Sequence, residues 1–194
     1  MKNLLVAGNS TMPKYVGIFN LPALITCTPS DWCRKHCYAL HGRFIWGTIK
    51  AAHEWRYKQS LQNDFVSRMI NEIKRRKNLK FIRVHITGDF YSSKYILKWA
   101  AIARAFPCIP FRTNTKRQDL LGFMIEELPP NFIIRESTDN TRKSLGLVPE
   151  AAISGTKGAE NYFVCRDHCE RCNFYCWRHA DVNVVTSQIR GERK

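Results

Sequence analysis

The 194-residue chain lacks a long hydrophobic run, whereas a membrane-crossing helix takes about 20 consecutive apolar residues. Its opening stretch, MKNLLVAGNSTMPKY, carries only the short apolar patch Leu4–Ala7 where a secretory leader would place an apolar core. No membrane association and a cytoplasmic location are therefore expected. Low-complexity linkers and internal repeats are also missing, so a single domain, 1–194, is the simplest organisation. Acidic residues are scarce: 16 Asp and Glu stand against 31 Lys and Arg, a net charge of +15. Such a field draws polyanions, so a small anionic substrate, a nucleotide or nucleic acid is an expected partner. The run IKRRKNLK, 73–80, has a simpler reading, the basic end of a helix entering a loop. Arg190–Lys194 reads as a solvated basic tail.

What the chain does have is cysteine. Seven of its eight fall in two tight groups: Cys27, Cys33 and Cys37 as C-x5-C-x3-C, and Cys165, Cys169, Cys172 and Cys176 as C-x3-C-x2-C-x3-C. The eighth, Cys108, stands alone between Pro107 and Pro110 and is read as a buried structural thiol. In a reducing compartment grouped cysteines hold zinc or an iron–sulfur cluster more often than they form disulfides. A chain of this length buries a core without a metal staple, so the metal is read as serving chemistry rather than folding alone. Three thiolates on one loop can hold three irons of a [4Fe–4S] cube, leaving the fourth for a distant cysteine, a substrate or a small ligand. The C-terminal four could close a zinc or cluster site by themselves, with His168 and His179 as spare nitrogen ligands, or lend one thiol to the N-terminal cluster.

Between the two groups, strand-like and helix-like stretches alternate. Tyr15–Thr26 reads as an extended segment broken by Pro22, leading into the first cysteine loop. Helical spacing links Ile49, Ala52, Trp55, Leu61, Phe65, Met69 and Ile73, with a division near Gln59–Asn63. FIRVHIT (81–87) reads as a strand, followed by a helix capped by Ser92 or Ser93 and carrying Tyr95, Ile96, Trp99, Ile102, Ala103 and Phe106. IPFRTNT (109–115), a helix through Leu128, NFIIRES (131–137) and AAISGT (151–156) continue the series. This order predicts an α/β fold of parallel strands with right-handed crossovers, an open or partly closed α/β barrel with a cysteine-rich N-terminal loop and a cysteine-rich C-terminal segment.

Ligands in such folds collect at the C-terminal ends of the strands. There the sequence offers four candidate catalytic residues: His85 and Asp89 for proton transfer, Lys116 and Arg135 to hold an anionic group. The rival readings are a core imidazole for His85 and a turn or capping carboxylate for Asp89. Gly88 permits close backbone approach of a cofactor.

The segments LPA, CTPSDWCRKHCYAL, VHITGDFYSSKYILKWAAIA and CERCNFYCW together resemble the phage gene-product-88-like family, over about Leu21–Trp177. The Cys trio followed by Tyr38-Ala39, and the block Gly88-Asp89-Phe90, carry most of the likeness. That family is similar in fold class to radical-S-adenosylmethionine enzymes. The resemblance implies a virus- or mobile-element-encoded protein with an iron–sulfur cluster, read as [4Fe–4S], in an incomplete (β/α) barrel like that of the radical enzymes, and with it a location in the host cytoplasm. The radical enzymes carry C-x3-C-x2-C after the first strand, where this chain has C-x5-C-x3-C; the hallmark spacing occurs only late, at Cys165-Cys169-Cys172. Gly88-Asp89 is the nearest substitute for the segment that grips the adenosylmethionine amino group.

Four functions follow. An iron–sulfur enzyme would work through an open iron on Cys27, Cys33 and Cys37. A radical enzyme would use that iron to chelate S-adenosylmethionine. A nucleic-acid binder would present Trp32, Tyr38, Trp46, Trp55 and Tyr57 on a basic surface shaped by metal. A simple electron carrier ranks last, since the scaffold is large for that task.

Overall fold

The computed structural model describes residues 3–186; Arg190–Lys194 lie outside the described residues. Eight strands form one sheet, mostly parallel, in the order β1-β2-β3-β4-β5-β6-β8-β7. The strands are β1 (Val6–Ala7), β2 (Val16–Phe19), β3 (Phe81–Val84), β4 (Phe111–Thr115), β5 (Phe132–Thr138), β6 (Glu150–Ile153), β7 (Phe163–Val164) and β8 (Val184–Thr186). β1 is antiparallel to β2, and every other pairing is parallel. Helices α2 (Gly47–Leu61) and α3 (Phe65–Arg75) follow the first cysteine loop, which itself carries the short α1 (Asp31–Lys35). α4 (Ser93–Arg104) links β3 to β4, α5 (Leu121–Glu127) links β4 to β5, and α6 (Tyr175–Arg178) closes the second cysteine segment.

Alternation along the central strands sorts side chains to two faces. Phe19, Ile82, Val84, Phe111 and Phe132 join the larger core with Phe65 and Met69 of α3 and Tyr95, Trp99 and Ile102 of α4. Trp99 and Phe65 meet Phe19 edge-on at centroid distances of 5.3 and 5.6 Å, and each such ring contributes roughly 1.5–3 kcal/mol by leaving water. The opposite face carries Val16, Ile18 and Ala151, covered by Phe174, Cys176 and Trp177 of the second cysteine segment. Phe81 stacks on Phe174 at 4.2 Å. That same face also carries Arg83, Arg112 and Arg135, an unusual cargo for the middle of a sheet.

Local chemistry explains the element ends. Ser92 caps α4 by accepting from the Tyr95 amide, and α2 breaks from α3 at 62–64. The basic run after Ile73 is a helix end, where Arg76 pairs with Glu72 at 2.7 Å while Glu72 also accepts from the Leu4 and Leu5 amides. Three expectations are corrected by the structure. Of Tyr15–Thr26 only Val16–Phe19 is strand, because Asn20 turns its side chain to the Ile86 amide and Pro22 has no N–H to donate. The strand over FIRVHIT stops at Val84, since His85 takes a left-handed conformation with φ +60°. Cys108 is exposed rather than buried, carried on the tight turn where the Ile109 amide bonds the Phe106 carbonyl.

Candidate functional site

A cleft of about 640 Å³, counting its open mouth, lies beyond the C-terminal ends of β2 to β5. Cys27, Cys33 and Cys37 all line it, together with His85, Gly88, Asp89, Asn114, Lys116 and Ser137. The cysteine loop that brings the thiols there is tied to the strand ends at several points. Thr26 donates to the Pro22 carbonyl at 2.9 Å. Ser30 caps α1 by accepting from the Cys33 amide and donates to Asp139 at 2.7 Å. Arg142 donates to the Thr28 carbonyl at 2.8 Å, and the Tyr38 hydroxyl donates to the Ile86 carbonyl. The three thiols therefore sit on a braced loop rather than a free one.

Asp89 is the knot between β3 and β4. Its carboxylate accepts from the Phe90 amide at 2.8 Å, the Thr115 hydroxyl at 2.8 Å and the Lys116 amide at 2.7 Å. Both oxygens are engaged, and burial raises its pKa against the pull of those donors. Gly88, at φ +77°, is required by packing: a Cβ there would lie 2.5 Å from the Leu21 Cβ and 2.7 Å from the Thr26 hydroxyl. The close approach it permits is to the chain's own loop. The Lys116 ammonium donates to Ser137 and opposes the rise that burial imposes on the Cys33 thiol. Burial and the neighbouring Asp89 carboxylate push Cys27 up to about 12, so thiolate formation in this cleft is coupled to proton release.

Two predicted residues are placed differently. The His85 imidazole packs among Phe19, Phe90, Tyr95 and Trp99, with Nε2 3.0 Å from the Tyr95 hydroxyl. The left-handed turn at His85 ends the strand alternation that would have sent its ring toward the opposite face. Burial, and then the Arg83 charge, push its pKa down to about 3, so it is neutral near pH 7. Arg135 does not line the cleft. It is fully buried in mid-strand, because β5 runs on to Thr138, and it donates to the Val182 and His179 carbonyls at 2.9 and 2.7 Å. Arg83, missed in the sequence, does line the cleft and reaches Asn114. A charged residue alternating with apolar ones in FIRV was the available signal.

The C-terminal thiols form a separate set, none of them lining the cleft. Cys176 is buried and accepts from Arg112. Cys169 is pushed up to about 11 by burial and by Cys176, with Arg112 opposing. Among the described residues no three His, Cys, Asp or Glu side chains converge on a position for one metal ion. A cubane makes a different demand, since each of its irons takes one thiolate; three thiols lining one cleft fit that demand. His36 stacks on Trp32 at 4.4 Å and donates to its carbonyl, away from this duty.

No helix among the described residues is long and apolar enough to cross a membrane. The family model described as Gene product 88 matches residues 2–188. The Gene 88 protein of Mycobacterium phage L5 is 26% identical over 148 residues, covering 68% of this chain and 60% of the relative. That of Mycobacterium phage D29 is 24% identical over 148 residues with the same coverage, so the chain spans about 60% of the length of these curated relatives. No solved structure matches. The chain belongs to the Gene product 88 family of phage proteins.

Proposed function

We propose that this is an iron–sulfur protein in which Cys27, Cys33 and Cys37 hold a [4Fe–4S] cluster, and that it is an enzyme acting on a small anionic substrate bound in the same cleft. The fold is read with it as an incomplete (β/α) barrel. The observation that carries the reading is that these three thiols, and the polar ends of three adjacent parallel strands, line one cleft. A cluster held there would supply an open iron as Lewis acid or electron donor. The chain's own groups would do the rest. The Lys116 ammonium, steadied by Ser137 and by the Asp89 bond to its amide, holds an anionic group near Cys33. Arg83 lines the inner wall beside it, in a 3.4 Å contact with the Asn114 side chain. Asp89 and His85 act by position: Asp89 fixes the Lys116 backbone, and the neutral His85 ring packs the inner wall of the site.

Nucleic acid as the main partner has less behind it. Of the five aromatics proposed for such a surface, Trp46 is exposed, while Trp55 and Tyr57 pack on the core, Trp32 stacks on His36 and Tyr38 lines the cleft with its hydroxyl on the Ile86 carbonyl. The test is anaerobic purification with iron and acid-labile sulfide measured per chain. Replacing Cys27, Cys33 and Cys37 together by Ser should remove about four iron and four sulfide; unchanged metal content in that variant would sink the reading. Adding S-adenosylmethionine to the reduced wild type, read by electron paramagnetic resonance, decides whether the substrate of the open iron is that cofactor.

A further inference from the structure

We propose that Cys165, Cys169, Cys172 and Cys176 hold a second, separate metal centre, thiolate-ligated and net anionic, and that Arg83, Arg112 and Arg135 are its buried counter-cations. The arginines come from three adjacent strands, with Arg83 directly paired to Arg112 in the β3–β4 register and Arg135 paired to Asn114 in the β4–β5 register. Their exposures are 8%, 6% and 0%. Among the described residues none of the three forms an ion pair with a carboxylate. Each also keeps a buried nitrogen without a partner: Nε of Arg83, Nε of Arg112 and Nη1 of Arg135.

Three guanidiniums side by side in a protein interior repel one another, and each is costly to desolvate without an opposing charge. Asn114, the polar group between them, is neutral and only 3.4–3.5 Å contacts reach it. What covers this layer is the second cysteine segment. Cys176 sits in the same packed cluster as Trp177 and Phe174, and Cys169 packs against it. Arg112 donates to the Cys176 sulfur and lies 5.8 Å from the Trp177 ring centre. The acidic residues of the region do not neutralise this layer by salt bridges among the described residues: Glu170 is exposed and bonded to the Tyr15 hydroxyl, Asp167 is half-buried, and the exposed Asp181 acts on Arg135 only as a nearby charge. A neutral thiol is a weak acceptor that leaves the positive charge unbalanced. Four thiolates on a metal centre carry net negative charge, and N–H groups aimed at metal-bound sulfur are a recurrent second layer of such sites.

Among the described residues these sulfurs do not converge on a single-ion position, so the centre proposed is a cluster, whose irons each take one thiolate. The site is distinct from the cleft, whose lining includes Arg83 but none of these four cysteines. It stands whether or not the cleft holds iron.

The experiment uses the full chain purified without oxygen, with iron, sulfide and zinc measured in wild type, in a Cys27/Cys33/Cys37→Ser triple variant and in a Cys165/Cys169/Cys172→Ser triple variant. The first variant should retain metal that the second loses. Iron with sulfide in the first variant identifies the cluster, whereas zinc without iron there overturns the proposal. Metal content unchanged in the second variant overturns the proposal, and so does loss of all metal in both, which would mean one shared centre. Because the second variant removes thiols from a packed segment, Arg112→Gln provides an independent reading. It should lose the retained metal severalfold faster to a chelator while its far-ultraviolet spectrum matches wild type, and an unchanged rate at intact fold also overturns the proposal.

Discussion

The two cysteine segments are held by different means, although Cys165, Cys169 and Cys172 are half-buried just as Cys27, Cys33 and Cys37 are, and only Cys176 is fully buried. The N-terminal loop brings three half-buried thiols to an open cleft and is held by side-chain hydrogen bonds from Ser30, Thr26 and Tyr38. The C-terminal segment is held by packing: Phe174, Cys176 and Trp177 are all at most 5% exposed against the sheet. A thiol on a braced rim can exchange ligands with solvent. Cys176, buried with Phe174 and Trp177 and with an arginine at its sulfur, is shielded from it. The difference teaches that cysteine spacing gives the donor count, while the groups around the sulfur decide whether a bound metal is accessible.

The widest contrast to test is a pair of single substitutions. Cys33→Ser should abolish the iron proposed for the cleft while thermal unfolding of the metal-free chain stays near wild type, whereas Trp177→Ala should cost about 3–5 kcal/mol in denaturant unfolding. Equal stability losses in the two variants would erase the distinction. Next, Gly88→Ala places a side chain at positive φ against Leu21 and Thr26 and should cost about 3 kcal/mol. Because the strain falls on the loop holding Cys27, iron retention should drop with it. Asp89→Asn weakens the charge-assisted bonds between β3 and β4 and should cost about 2 kcal/mol, read as a shift of the urea midpoint.

A smaller effect is set by acid. The folded-state pKa values of His53 and His85 are pushed down to about 4 and about 3 from an ordinary 6.5, mainly by burial. The unfolded chain therefore takes up these protons first. Stability from both is complete above about pH 6.5 and is lost as pH falls through 4 and then 3. His53→Gln should flatten the upper part of that decline, and an unaltered pH slope would exclude His53 as its source. Smallest of all, Asp64→Ala, which breaks an exposed pair with Arg68 at 3.7 Å, should change stability by less than about 1 kcal/mol.

The sheet was legible where its cause is local. Ser92 before an apolar-periodic run marks α4, and the polar residues that follow Leu61 mark the break at 62–64 that separates α2 from α3. The cleft was legible in part, because strand-end residues such as Asp89, Lys116 and Ser137 do gather around the cysteine trio. Arg135 was misplaced because nothing local says that β5 continues three residues beyond it. The turn at His85 was equally hidden, since its left-handed backbone is fixed by the Phe19 carbonyl and the aromatic packing around its ring rather than by its neighbours in sequence. β8 escaped notice because VVT is too short to carry a period, and its place in the sheet depends on strands far away in the chain.

That last strand sets an order of events. Among the described residues β7 pairs only with β8, and β8 alone joins it to β6, so Phe163–Val164 has no edge to dock on until Val184–Thr186 has been made. At a synthesis rate of about 5–20 residues per second, the four late cysteines emerge within seconds of the strand that locks them down. During that interval Phe163–Val164 lacks its one partner strand among the described residues, and the cysteine segment that lies between the two strands in the chain is tethered at one end only.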